Sequence, residues 1–450
     1  MAVTILVFCV AALLALGMVM LYSSSMGMAQ VGAHLLAMQL VWCVLGLAAA
    51  VVTTMVDYRK LKKIWWVLFG AAILMLVLVL NKHFGVVRGH ARRWFSFGGM
   101  NFQPSEFAKL ALIIALAWYG EHFQRQMPLW KRGILIPGLL IGLTVGLIFK
   151  EPDVGNALVL ATVGGVLLLI AGIRLRYFLP PALAVAVGVG VFIYHNPMRS
   201  DRIYSWLHLE ETKRDTGMQA YEAMVALGSG GLTGKGLGDG RQKLGFVSQH
   251  HTDFIFSIIG EELGLIATSL VIVAFVAIVF CGAYIAMNAR DTFGLLLGSG
   301  ITFLIGLQAF VNIGVVTSAL PNKGLPLPFI SYGGSNLLVM LASVGLLLNI
   351  ARQAREADGV LRNVATEGDV ANPFAWRAQP QTCPPHPNHR SAWPSLVVGR
   401  AGISFPVWRW PTSFCDAVAR QRCSSPPKKW TRKPCAGFLA WKSLPCQRSA

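Results

Sequence analysis

The sequence predicts an all-α, polytopic membrane protein with about ten spanning helices. Three observations carry that expectation. Of 450 residues, 55% are hydrophobic and only 13% are charged, whereas a soluble domain averages about 25% charged residues. Mean hydropathy is +0.57. Apolar runs of roughly 20 residues recur, the length that crosses a bilayer as a helix. Together these exclude a soluble, secreted or nucleic-acid-binding protein, despite a formal net charge of +19.

The first span, near 3–23, lacks the basic start of a cleaved signal and reads as a retained helix. Further spans follow near 35–56, 64–80, 104–120, 133–149, 155–173, 177–195, 254–287, 293–317 and 331–350. Alternating the sides collects the basic loops "DYRKLKK" (57–63), "EHFQRQMPLWKRG" (121–133), "RLR" (174–176), "NAR" (288–290) and "ARQAR" (351–355) on one side. Positive-inside bias makes that side cytoplasmic and places both termini there. The extracytoplasmic side then holds 82–103, 150–153, a long loop 196–253 between the seventh and eighth spans, and 318–330. "RGHARRW" (88–94) is the exception, with three arginines on the outer side.

Four outer segments are more polar than a plain bundle needs. In "HARRWFSFGGMNFQPSEFAK" (90–109), Arg92 and Arg93 are forked donors suited to phosphate oxygens. Pro104 can open a helix there, and Glu106 and Lys109 then sit three apart on one face. They read either as part of a site or as a structural ion pair at the helix entry. "KEPDVGNA" (150–157) clusters Lys150, Glu151 and Asp153 between two spans. Charge at mid-bilayer costs about 2.5–3.5 kcal/mol per residue, so these groups line a cavity or sit in a solvated turn.

The long loop carries "ALGSGGLTGKGLGDGRQK" (226–243). It fits no Walker register around Lys235; its glycines let backbone amides approach a ligand, or allow a mobile loop. His250 and His251 follow, and alone they read as surface polar residues. Asp253 differs. It stands where the chain re-enters the membrane, partly desolvated, so a raised pKa and a general-base role are available to it. Glu261 and Glu262 fall within the eighth span and must face the interior, as structural pairs or as site members. The fourth segment, "LPNKGLPLPFISYGGSN" (320–336), cannot form a plain helix. Irregular backbone at membrane depth needs protein or a water-filled cavity beside it, so this stretch, with Ser331 and Tyr332, reads as a pocket wall. Gln308 and Asn312 read as polar glue between helices.

In this order, "ARRW…QPSEFAK", "EPDVGNALV", "ALGSGGLTGKGLG…QK", "HTDFIFSIIGEELGLI" and "LPLPFISYGGSN" resemble the SEDS family, the shape, elongation, division and sporulation proteins of bacterial cell-wall synthesis. The resemblance covers about residues 5–355, and "GDGRQKL" points to the division branch. It implies a peptidoglycan glycosyltransferase that polymerises lipid II into glycan strands at the outer face of the cytoplasmic membrane, at the septum. Asp253 matches the family's essential loop aspartate and would take the proton from the attacking sugar hydroxyl. The departing lipid diphosphate needs positive charge. Arg92, Arg93, Lys109, Lys150 and Lys235 are the cationic candidates, with Glu151, Asp153, His251, Ser331 and Tyr332 beside them. Glu106, Glu261 and Glu262 are supporting residues. A divalent cation, magnesium or manganese, is the cofactor such chemistry admits. Implied partners are lipid II, a class B penicillin-binding transpeptidase and regulators of division, and no nucleic acid. Ser248 and Gln249 stand where family members often carry Pro-Glu, which removes an acid near Asp253. The rival readings are a lipid II flippase and a scaffold that only activates a partner synthase.

Beyond about residue 356 the style changes. Residues 371–450 hold twelve Lys/Arg against one Asp, and five of the eight cysteines. Residues 356–394 read as a cytoplasmic linker. From about 395 the codons, read out of frame, can spell text such as GTGGHLFPGLAVADV in place of "GRAGISFPVWRWPTS" (399–413). That text resembles the start of the glycosyltransferase that makes lipid II, so 395–450 is expected to be an unstructured, out-of-frame translation of a neighbouring gene.

Overall fold

The computed structural model describes residues 1–25, 29–88, 91–97, 100–240 and 252–370. The chain divides into Met1–Phe374 and Ala375–Ala450. The second unit, with the expected out-of-frame tail, lies outside the described residues, as do Ser248, Gln249, His250 and His251.

The helices are α1 (Ala2–Ser25), α2 (Ala29–Met55), α3 (Leu61–Leu80), α4 (Pro104–His122), α5 (Ile136–Lys150), α6 (Val154–Ile170), α7 (Leu175–Tyr194), α8 (Pro197–Leu207), α9 (Met218–Ser229), α10 (Ile255–Met287), α11 (Thr292–Val316) and α12 (Gly334–Val370). Each of the ten expected spans coincides with one of them. Among the described residues, eight are long and apolar enough to cross a membrane. The other two, α4 and α6, are the polar and the short one. Helix α4 carries Glu106 and Lys109 in its first turns, and α6 has 17 residues. Both lie inside the bundle, so protein replaces lipid around them. Nearly every α4 residue from Pro104 to Gly120 is buried, against α3, α6 and α11. By contrast α7 has no buried residue and stands at the edge. Helices α8 and α9 belong to the long loop. Helix α12 runs on to Val370, into the stretch read as linker.

One feature departs from an all-α reading. Residues 86–102 form a small antiparallel sheet, β1 (Val86–Arg88), β2 (Ala91–Phe97) and β3 (Met100–Phe102), in that order. Phe97 pairs with Met100, and the sequence between them is Gly-Gly, the composition a two-residue hairpin link needs. Strands β1 and β3 have three residues each, too short for an alternating pattern to stand out.

Buried polar ties fix the bundle at both ends. At the end away from the long loop, Asp291 accepts from the Tyr58 hydroxyl at 2.6 Å and from Lys62 Nζ at 2.6 Å, and Lys62 also reaches Glu121 at 2.7 Å. Asn349 of α12 donates to the carbonyls of Thr53, Thr54 and Val56, closing the α2 C-terminus. Near the long-loop end, Lys109 Nζ lies 2.9 Å from Glu106 Oε1, and both side chains are fully enclosed.

Candidate functional site

Successive spans alternate in direction, so one end of the bundle gathers the N-termini of α4, α6, α10 and α12, the sheet and the long loop. A cleft of about 740 Å³ opens there. Its wall includes Arg93 and Trp94 of β2, Asp153 before α6, Arg199 and Arg202 of α8, Asp253 before α10, Lys323 and Gly324, and Tyr332. These residues come from segments far apart in the sequence: strand β2, the turn before α6, helix α8, the entry to α10 and the segment before α12.

Arg93 builds one side. Its guanidinium donates to the carbonyls of Glu151 at 2.9 Å and Pro152 at 2.8 Å, with Nη1 3.8 Å from Asp153 Oδ2. Asp153 caps α6: Oδ1 accepts from Asn156 N, and Oδ2 accepts from Asn156 Nδ2 and Gln103 Nε2. Glu151 is enclosed just beneath, with neither carboxylate oxygen partnered among the described residues. Burial, then the Asp153 charge, push its carboxyl up to about 8.

Asp253 sits on the cleft wall one turn before α10. Asn312 of α11 pins it: the Asn312 amide donates to the Asp253 carbonyl at 2.8 Å and to the Leu325 carbonyl at 2.7 Å. The helix glue expected of Asn312 is thus backbone positioning of the aspartate and of the 318–330 segment. Burial, then the nearby Asp153 charge, raise the Asp253 carboxyl to about 6. At neutral pH it remains mostly a carboxylate, and a more basic one than usual.

Three cations that the sequence reading did not single out, Arg199, Arg202 and Lys323, share the cleft wall with this aspartate. Arg199 lies over the Phe192 ring at 4.2 Å, with Nη1 out of solvent and without a hydrogen-bond partner among the described residues. Burial, then Arg202 and Arg93, hold its pKa below the usual guanidinium value. Burial also lowers Lys323, while Asp153 opposes and Arg199 and Arg202 reinforce that shift. Arg202 thus adds to the lowering of both Arg199 and Lys323, as expected of positive charge gathered on one wall. A signal was available: "PMRSDR" places two arginines three apart at a Pro-initiated helix start.

The other cationic candidates lie elsewhere. Lys109 is consumed by Glu106. Arg92 points away, its Nη1 donating to the Leu80 carbonyl at 3.3 Å. Lys150 is exposed at the end of α5 and is absent from the cleft wall. Lys235 donates to Glu261 Oε1 at 2.9 Å and to Ser229 Oγ at 2.8 Å. Ser331 is buried, and its Oγ accepts from Leu327 N in a turn, whereas Tyr332 reaches the cleft.

Glu261, Glu262 and the glycine-rich loop form a separate device. Helix α10 breaks at Gly264, whose φ is +76°. The loop docks into that break. Lys235 N and Gly236 N donate to the Glu261 and Glu262 carbonyls, both at 3.0 Å. Leu265 N and Ile266 N donate back to the Gly231 and Leu232 carbonyls. Glu262 Oε2 accepts from Ser23 Oγ at 2.6 Å and from Gly238 N at 3.2 Å, which brings in α1. A Cβ at Gly230 would collide with the Gly260 carbonyl, so this approach requires glycine. The ligand of these loop amides is the protein's own broken helix.

Among the described residues no three His, Cys, Asp or Glu side chains converge as a metal cage. Of the two cleft carboxylates, Asp153 has both oxygens engaged at the α6 cap, which leaves Asp253 as a single carboxylate on a wall that also carries Arg93, Arg199, Arg202 and Lys323. That donor set fits an anion and does not fit a magnesium or manganese ion caged by protein.

Comparison with known proteins agrees with this architecture. Residues 4–356 match the family model for FtsW, RodA and SpoVE, described as cell cycle proteins. The chain is 39% identical over 348 residues to a protein of Geobacter metallireducens named probable peptidoglycan glycosyltransferase FtsW, covering 76% of this chain and 93% of that one. It is 36% identical to stage V sporulation protein E of Bacillus subtilis, covering 76% and 95%. Among solved structures, it matches a chain of a peptidoglycan synthase complex that coordinates polymerization and crosslinking, with 31% identity, a TM-score of 0.66, and coverage of 78% and 97%. It also matches the rod shape determining protein RodA of Thermus thermophilus, at 31% identity, a TM-score of 0.58, and coverage of 78% and 96%. The match spans the ten-helix body and both ends of the cleft, and on that ground the chain belongs to the FtsW/RodA/SpoVE family of cell cycle proteins.

Proposed function

We propose that this multi-pass membrane protein is a peptidoglycan glycosyltransferase that polymerises lipid II. The single observation that carries the reading is Asp253, a basic-shifted carboxylate on the wall of a cation-rich cleft at the end of the spans. The reaction joins two lipid-linked saccharides. Asp253 takes the proton from the attacking sugar hydroxyl. The hydroxyl oxygen bonds to the donor's anomeric carbon, and the bond to the diphosphate breaks with its electron pair on phosphate. Arg93, Arg199, Arg202 and Lys323 meet the developing negative charge. A positioned general base contributes about 10²–10⁴-fold. Lipid-borne substrates explain a cleft at the membrane edge.

The basic loops at the opposite end support an outward-facing cleft. Relatives named FtsW support action in septal synthesis, and the similarity to a synthase-complex chain supports a crosslinking transpeptidase partner. Residues beyond about 395 have no part in this reading; the DNA of the locus tests whether they are out of frame.

The test is purified full-length protein with labelled lipid II. The wild type is expected to make glycan polymer, and Asp253→Asn to lose at least about a hundredfold in rate. Polymer formation undiminished by Asp253→Asn, or lipid movement across vesicles with no polymer from wild type, refutes the reading.

A further inference from the structure

A second cleft, of about 780 Å³, meets the first at Asp253. The two share only Arg202, Asp253, Asn322 and Gly324 among their wall residues. The partition is therefore the general base itself with its immediate neighbours. Their charges are opposite. Arg93, Arg199, Arg202 and Lys323 outnumber Asp153 and Asp253 in the first cleft. In the second, Asp201, Asp215, Glu222 and Asp253 outnumber Arg202 among the described residues.

A displacement at an anomeric carbon needs its nucleophile and its leaving group on different sides of that carbon. The leaving diphosphate is a polyanion and belongs with the cations. The second cleft repels such a group and still opens on the carboxylate that must receive the proton. Its wall also carries Asn322, whose Nδ2 donates to Gln219 Oε1 at 3.4 Å. Glu222 Oε2 is out of solvent and has no hydrogen-bond partner among the described residues. An orphaned acceptor beside a general base calls for a donor, a sugar hydroxyl or an ammonium.

We propose that this second cleft is the acceptor subsite. Resting on the polymerase reading, it receives the diphosphate-free end of a glycan. One hydroxyl is presented to Asp253, while Glu222 and Asp215 bind neighbouring hydroxyl or amino groups. The transfer then balances across the partition. The proton goes to Asp253 on the acidic side, and the electron pair goes to the diphosphate on the cationic side.

The probe is a short glycan bearing its peptides but neither lipid nor diphosphate, added to full-length protein with labelled lipid II as donor. Label transferred to the probe is measured against probe concentration, and inhibition by inorganic pyrophosphate is measured in parallel. Glu222→Gln is expected to raise the half-saturating probe concentration about tenfold, the usual loss for a charged hydrogen bond. Asp215→Asn is expected to act in the same direction. Pyrophosphate inhibition stays within about twofold in both, whereas Lys323→Met weakens it and slows label transfer at every probe concentration, with the half-saturating probe concentration within about twofold of the parent. Thermal melting of each variant separates a binding loss from misfolding, and the exposed Asp215 carries the comparison if Glu222→Gln melts early. An unchanged probe response in both variants, an equal loss of pyrophosphate inhibition, or a wild type that extends lipid-linked chains but never labels the probe overturns the assignment. Full activity in Asp253→Asn would instead sink the underlying reaction, whatever the second cleft binds.

Discussion

Gly324 tests the placement of the carboxylate without touching its chemistry. It lies on both cleft walls, and a Cβ built on it would run into Asp253 Oδ2. Its backbone is outside the left-handed region, so alanine adopts it without strain. Among the described residues the obstacle is the carboxylate, the free end of a side chain, which must retreat by about 1 Å to restore ordinary contact. The backbone of Asp253 cannot follow, because Asn312 holds its carbonyl. A misplacement of about 1 Å costs roughly a hundredfold in rate, or about 2.7 kcal/mol of transition-state stabilisation. Gly324→Ala is therefore expected to lower the saturated rate of polymer formation about a hundredfold, with Tm little changed because the group that yields is the free end of a side chain at a cleft. Gly138→Ala, where a Cβ meets open space, is the neutral control. A G324A rate within about threefold of the parent would mean that the position of this carboxylate does not govern the reaction.

Other outcomes follow from the same structure. A base with its pKa at about 6 gives a rate that falls about tenfold per pH unit below that value; Asp153→Asn removes one of the two causes of the shift, so the acid limb moves to lower pH. The linkage sign is also testable. The folded pKa of Asp253 lies above its unfolded value of about 3.9, so its ionised form weakens the fold above pH 6, and that cost is relieved as pH falls toward 4. Asp253→Asn should therefore raise Tm at pH 8 and lose that advantage at pH 4. Lys109→Ala leaves Glu106 buried and unpaired and should cost about 3–5 kcal/mol, whereas Glu106→Leu combined with Lys109→Met should be near neutral by chemical unfolding. Gly230→Ala forces backbone against backbone at Gly260 and should cost roughly 2 kcal/mol or more, unlike Gly138→Ala.

The spans were legible because a bilayer imposes a length and a hydropathy that each segment must meet by itself. Even α4, the least apolar, announced itself through Pro104 and the spacing of Glu106 and Lys109. Of the proposed site, one residue could be placed from sequence and the rest could not. Asp253 could be singled out because local sequence puts a carboxylate at the edge of a span. Which cations face it depends on where loops return, and no periodicity records that. Lys109 and Lys235 looked available until Glu106 and Glu261 were seen to hold them. Arg199 and Arg202 sit in a loop helix whose docking is set by contacts such as Trp206 Nε1 donating to the Ser318 carbonyl, 112 residues away. The glycine-rich loop invited a ligand reading because close amide approach looks alike in sequence whether the partner is a phosphate or a carbonyl of the same chain.

That loop also explains how the base is held. Breaking a helix at Gly264 leaves backbone donors and acceptors unmet at the membrane edge, where each unmet group costs free energy comparable to a lost hydrogen bond. Residues 230–236 supply the missing partners from outside the helix, so the break and the loop are stable only together. Between that clasp and Thr252 lie residues 237–251. Both ends of this connection are therefore fixed to α10 itself, one at its break and one at its first turn. Asn312 then ties the arriving backbone to α11. Asp253, the proposed general base, is thus held by the start of α10 and by Asn312 of α11, while the cations proposed to meet substrate charge come from β2, α8 and the segment before α12. Such a division lets the surrounding loops adjust to a growing polymer without moving the one carboxylate whose location the chemistry requires.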